Sequence, residues 1–137
     1  MTGPPETPPW EMRRSGRIPE EPMNKNRWVE EFPGAVTVCD PEGTILEMNA
    51  RAAEVFAAEG GKKLLGTNVL DCHPEPSRSK LAEMMEKRRA NVYTIKKQGQ
   101  RKLVFQTPWS ENGTYAGFVE LVLELPWDMP HFDRDAS

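Results

Sequence analysis

The chain has 137 residues, enough for one domain with some tail but too few for two separate cores. Apolar residues make up 37% and mean hydropathy is −0.67, low values for a compact domain that its polar ends explain. A net charge of −3 argues against a chain that attracts nucleic acid along its whole length, and no apolar run approaches a membrane span or the core of a secretory leader.

Seven of the 13 prolines fall in the first 33 residues. Residues 1–23 mix Pro, Glu, Arg and Gly without hydrophobic period and are expected to form a disordered or loosely packed arm. Asn24 to Phe32 places Trp28, Val29 and Phe32 on one helical side, and Pro33-Gly34 stops it. Ala35-Val-Thr-Val-Cys39 and Thr44-Ile-Leu-Glu-Met48 are apolar runs rich in β-formers, joined by Asp40-Pro41-Glu42-Gly43. That joint is a tight turn: Pro41 presets φ, Asp40 bonds back and Gly43 accepts a positive φ. Asn49 stands at the N-cap of an alanine-rich helix over residues 50–58, with Ala52, Val55 and Phe56 facing inward. Gly60-Gly61 ends it, and residues 62–70 form one or two short turns. Ser77 to Ala90 is a second amphipathic helix with Leu81, Met84 and Met85 on its buried stripe. Strands are expected over residues 92–97, 102–109 and 114–125, with turns at Gln98-Gly99-Gln100 and Asn112-Gly113. Residues 127–137 form an acidic tail.

In the last strand Val119, Leu121, Leu123 and Leu125 share one face, and Phe118 and Val122 share the other with Glu120 and Glu124. A sheet apolar on both faces needs a cover on each. Helices cover one, with Leu121 and Leu123 beneath them. Trp28, Val29 and Phe32, or a second copy of the chain, cover the other, where Phe118 and Val122 would lie. On this reading Glu120 and Glu124 point to solvent.

The order Asp40, Gly43, Ile45, Asn49 closely resembles the signature that opens a PAS domain. The resemblance continues through Leu64-Leu65-Gly66 with Val69-Leu70, Cys72-His73-Pro74-Glu75-Pro76-Ser77-Arg78, Pro108-Trp109, Asn112-Gly113 and Gly117-Phe118-Val119-Glu120. It covers residues 32–126. It implies an α+β fold, a five-stranded antiparallel sheet with flanking helices, in a domain over residues 24–126: a cap helix at 24–32 and a core at 33–126. It also implies a pocket between sheet and helices lined by Leu46 or Met48, Val55, Phe56, Leu70, Leu81, Met85, Phe105, Leu121 and Leu123, with Trp109 at its rim or capping the core edge.

For catalysis the sequence offers no Gly-rich phosphate loop, no spaced Cys/His metal set and no Gly-x-Ser-x-Gly elbow, and an enzyme is not expected. Cys72-His73 has two readings. His73 is a haem ligand in a redox or gas sensor, or its imidazole fixes the loop by hydrogen bonds. Cys72 has no basic neighbour beyond His73 to activate it as a redox thiol. In the flavin-adduct branch of the family the reactive cysteine follows Gly-x-Asn, but here Gly66-Thr67-Asn68 is followed by Val69, so flavin photochemistry is not expected. Residues 78–102 hold nine Lys/Arg against two Glu. With few aromatics to stack bases, the stretch reads as a solvated helix face and hairpin, not a nucleic-acid groove.

These features together predict a stand-alone cytoplasmic PAS sensor, its two cysteines reduced. Its pocket takes a small organic or fatty acid, or a flat cofactor such as flavin or haem. The signal passes to a signalling partner, with the chain a homodimer. The competing reading is a ligand-free docking or dimerisation module whose core side chains fill the pocket. Met1 and the long tail favour a complete chain over a piece of a larger sensor.

Overall fold

The computed structural model describes residues 27–135; the expected arm at residues 1–23, positions 24–26 of the expected cap helix, and Ala136 and Ser137 lie outside the described residues. The first element, α1 (Arg27–Glu30), is a single turn closed by Phe32 N–H on the Val29 carbonyl at 3.2 Å. Strands β1 (Ala35–Cys39) and β2 (Ile45–Met48) form an antiparallel hairpin. The Asp40 carboxylate organises its turn by accepting the N–H groups of Glu42 and Thr44, both at 2.9 Å, while Gly43 supplies φ +94°.

Asn49 links the hairpin to helix α2 (Ala50–Val55). Its Oδ1 accepts the Ala52 N–H at 2.9 Å as an N-cap, and also the Val36 N–H at 3.0 Å. Its Nδ2 donates to the carbonyls of Val29 and Gly34, both at 2.8 Å. One side chain, 2% exposed, therefore ties together α1, β1 and α2. Short 3₁₀ turns follow at Ala57–Glu59, Gly61–Leu64 and Val69–Cys72. Residues 66–69 run along the free edge of β2, where Ile45 N–H bonds the Thr67 carbonyl and Gly66 N–H the Ile45 carbonyl, each at 2.8 Å. This covers an edge that would otherwise be open to pairing.

Helix α3 (Ser77–Lys87) stops before the expected Ala90, because Arg88 turns left-handed (φ 54°) and lays its guanidinium 4.1 Å from the Tyr115 ring centre. At the other end of this helix the Glu75 carboxylate accepts the Ser79 hydroxyl at 2.7 Å and its N–H at 3.2 Å. Strands β3 (Asn91–Lys97), β4 (Gln100–Glu111) and β5 (Thr114–Leu125) form a meander. Both of its turns carry positive φ at two successive residues, Gln98-Gly99 and Asn112-Gly113, the geometry whose twist suits tight hairpins.

The five strands are all antiparallel in the order β2-β1-β5-β4-β3. The β5–β1 pairing joins the N-terminal hairpin to the C-terminal meander. Ala35, Ile45, Met48 and Ala52 form the core, with Val55, Phe56, Leu64, Val69 and Val122 packed against it.

The register corrects the assignment of faces. Ala35 pairs with Val122 and Thr37 with Glu120, so Phe118, Glu120 and Val122 face the helices. Phe118 is 4% exposed and Val122 packs on the core, so neither lies on the outer face. Leu121 and Leu123 instead share the outer face with Phe105, the cross-strand partner of Leu121. Alternation shows which residues share a face, but the small Ala35 and Ala52, which let α2 approach the sheet, decide which face the helices take.

Phe32 does cover part of the outer face. A Cβ on Gly34 would strike Leu123 Cδ2 and approach Phe32 Cε2 to 2.9 Å. Trp28 meets Phe32 edge-on at 5.8 Å between ring centres yet remains 69% exposed.

Candidate functional site: a small apolar cavity beside a larger groove

Between the inner face of the sheet and the helices lies a cavity of about 40 Å³. Its apolar wall includes Ile45 and Met48 of β2, Phe56 after α2, Leu81 and Met85 of α3, and Phe118 of β5. Thr37, Cys39, Cys72, His73, Gln106 and Glu120 complete the lining, and the surface the cavity presents is almost wholly apolar. Outside it, between α3 and β3, an open groove of about 670 Å³ is lined by Lys80, Met84, Lys87, Arg89, Asn91 and Tyr93 among others. His73, Leu81 and Gln106 line both spaces, so the two adjoin there.

The polar groups form a directed row across the sheet. Asn91 pairs in register with Gln106, Gln106 with Glu120, and Glu120 with Thr37. Gln106 Nε2 donates to Glu120 Oε2 at 2.7 Å, and Asn91 Nδ2 donates to Gln106 Oε1 at 3.2 Å. The carboxylate only accepts, which fixes the Gln106 amide and makes Glu120 the end of the row.

A profile of the PAS fold matches residues 29–125. The chain belongs to the PAS-fold family. Solved structures agree. A C-terminal domain from Streptococcus mutans is 19% identical, with a TM-score of 0.61 over 76% of this chain and 90% of that one. The PAS domain of BvgS from Bordetella pertussis is 15% identical, with a TM-score of 0.57 over 74% of this chain and 84% of that one. Aer2 of Vibrio cholerae, described as a dual PAS-heme oxygen sensor, is 15% identical, with a TM-score of 0.51 over 68% and 95%. The comparison with curated proteins found no match.

This PAS domain brings Met48, Phe56, Leu81, Met85 and His73 around one cavity. Val55 packs in the core beside it without lining it, Leu46 is 48% exposed, and Leu70 belongs to the adjoining 3₁₀ turn. Phe105, Leu121 and Leu123 lie on the opposite face of the sheet. Trp109 donates its indole N–H to the Cys39 carbonyl at 3.2 Å, clasping β4 over the end of β1.

Glu120, Gln106, Thr37 and Cys39 were not among the expected pocket residues. The even positions of β5 alternate apolar and acidic, which reads as a solvent face. The one sequence signal for the row is the pairing of Asn91, Gln106 and Glu120, which a correct strand register would reveal.

The cavity does not fit haem or flavin. Sites for molecules of that size span roughly 300–1,000 Å³, whereas about 40 Å³ admits only a few water-sized groups. His73 Nδ1 sits 2.7 Å from the Val69 carbonyl, a contact that requires the proton on Nδ1 and ties the ring to its own loop. Arg78 Nε reinforces that loop through the carbonyls of Leu70 and His73 at 3.0 and 3.2 Å.

Burial pushes the Cys39 thiol above its ordinary range, and Asp40 and Glu120 add to this against the lowering effect of the Phe118 backbone hydrogen bond. Burial raises Cys72 as well, with Glu59, Glu120 and Asp71 contributing. Both thiols therefore stay protonated at neutral pH. At pH 8, iodoacetamide is expected to modify each cysteine at least about tenfold more slowly in the folded protein than in urea. Peptide mass spectrometry over time checks this; equal rates in the two states would contradict it.

Proposed function

We propose that this PAS domain is a small-molecule sensor in which the cavity is the closed state of a ligand pocket. The carrying observation is the shared lining of His73, Leu81 and Gln106 between the small apolar cavity and the larger groove. Movement of Leu81, with the flexible thioethers of Met84 and Met85 adapting around it, would merge the two spaces without breaking the sheet. A ligand that binds the opened arrangement more tightly shifts the population toward it and moves α3 relative to β3. The reading assigns no catalytic role to the domain and needs no prosthetic group.

Output passes through the outer face of the sheet to a second copy of the chain or a signalling partner. Support comes from the apolar side chains left on that face, Val92 at 50% and Phe105 at 36% exposed, at the side that Phe32 does not reach. The alternative, a docking module without ligand, rests on the small volume of the cavity.

Native mass spectrometry of the whole chain after exposure to a cell extract of small molecules tests both halves. The sensor reading predicts a mass excess that disappears on denaturation, and a dimer that Phe105→Glu converts to monomer. Protein mass alone would favour the docking module; a monomer at every concentration would remove the second copy as the partner.

A further inference from the structure

We propose that the free edge of β3 is a docking site for an extended acidic peptide of a partner protein, which lengthens the sheet by one strand. The inference goes beyond the pocket reading and does not depend on it.

The two edges of the sheet differ. Along β2, the segment at residues 66–69 takes up the outward N–H and carbonyl of Ile45. At the other end of the order, β3 pairs with β4 alone. Alternate residues of an antiparallel strand turn their N–H and C=O groups away from the neighbour. The tight turn at Gln98-Gly99 makes Lys97 and Gln100 a hydrogen-bonded pair, so Ile95 and Tyr93 also bond toward β4. Val92, Thr94 and Lys96 direct theirs outward. Among the described residues, positions 91–97 make no backbone hydrogen bond outside that pairing. The strand has 7 residues, a template of about 20 Å, and residues 92–97 are all exposed.

Charge selects the strand that fits. Cations on an open edge oppose pairing with a second copy, which here would bring another Lys96 and Lys97 to the same edge. Neither lysine forms an ion pair among the described residues, and nor do Lys80 and Arg89 in the groove alongside. The carboxylate of the groove, Glu83, is held by Lys87 at 2.7 Å. An acidic strand complements this unneutralised charge, and a basic one is repelled by it.

The edge also dictates a pattern. Asn91 and Tyr93 line the groove, so a strand paired beside them points alternate side chains toward Lys80 and Arg89. Its remaining side chains lie on the outer face beside the exposed Val92. The fitting segment alternates acidic with β-branched apolar residues; main-chain bonds supply the affinity and the alternate side chains the specificity.

The probe is a fluorescein-labelled peptide as long as β3 that alternates glutamate with valine, titrated into the full chain and followed by anisotropy. It is expected to bind at least about tenfold more tightly than its lysine–valine counterpart, and to slow amide exchange at Val92, Thr94 and Lys96. Methylating the backbone nitrogens of whichever alternate set faces β3 is expected to abolish binding, while methylating the other set leaves it within about threefold. Lys96→Glu combined with Lys97→Glu is expected to weaken binding at least about tenfold. Thr94→Pro removes an outward N–H at an edge position where proline is tolerated. It is expected to abolish binding, with the thermal transition checking the fold. No binding at about 1 mM peptide overturns the site. Equal binding of the two charge types, or charge reversal without effect, overturns the acidic partner. Equal binding of the two methylated forms, or affinity without exchange protection, reveals a surface for any polyanion and overturns strand pairing. Each of these results leaves the pocket reading standing.

Discussion

Replacing Gly117 with alanine is expected to unfold the domain or lower its stability by about 4 kcal/mol or more. Gly117 holds φ +134°, and a Cβ there would collide with the Cys39 carbonyl oxygen and lie 2.8 Å from the backbone C and Cα of Asp40. All three are main-chain atoms at the end of β1, where no rotamer change can relieve the clash. The same Cys39 carbonyl accepts the Trp109 indole, so displacing it also loosens the clasp from β4. Because β5 and β1 join the two halves of the sheet, strain there reaches the whole fold. At roughly 4–8 °C per kcal/mol for a domain of this size, the midpoint should fall by about 15–30 °C. A midpoint within a few degrees of the wild type would contradict this account of the β1–β5 contact.

The second large effect belongs to Asn49, and aspartate is the informative replacement. Aspartate is as good an N-cap as asparagine, so if capping α2 were all Asn49 did, Asn49→Asp would leave stability nearly unchanged. The structure gives it two further roles. Oδ1 also holds the Val36 N–H, and Nδ2 donates to the Val29 and Gly34 carbonyls. Aspartate retains the accepting bonds, loses both donations and sets a carboxylate against two carbonyl oxygens in a site 2% exposed. Asn49→Asp is expected to cost about 3 kcal/mol or more, and Asn49→Ala a similar amount, since each orphaned buried group costs about 1–3 kcal/mol. Urea unfolding measures both. An aspartate variant within about 0.5 kcal/mol of the wild type would reduce Asn49 to a simple cap.

Local signals carried most of the fold. Asp40-Pro41-Glu42-Gly43, Asn49, Asn112-Gly113 and Gly99 act through the backbone within a few residues, and the structure uses them as their chemistry implies. The strands were legible for the same reason, with β4 running two residues further at each end than expected, where Gln100 and Arg101 pair with Lys97 and Lys96, and Ser110 and Glu111 with Tyr115 and Thr114. The site was less legible. A period of two told which residues of β5 share a face, and the four aliphatic residues of one set outweighed a set containing two glutamates. Which set meets the helices depends on long-range register, Thr37 opposite Glu120 opposite Gln106, which no local pattern encodes. The steric need at Gly117 is hidden likewise, since its partners lie at Cys39 and Asp40.

The measurement that bears most directly on the central claim compares the wild type with a variant whose cavity is filled. Cys72 lines the cavity and is half-buried, so Cys72→Leu should fill part of the 40 Å³. Each added buried methylene stabilises by about 0.8 kcal/mol, so the variant should melt several degrees higher without ligand. Both proteins are then melted against a set of small organic molecules. If the cavity exists to take a ligand, at least one compound raises the wild-type midpoint and leaves that of Cys72→Leu unmoved. If no compound stabilises the wild type, or every one that does stabilises the filled variant equally, the cavity is not the binding site and the domain is not the sensor proposed here.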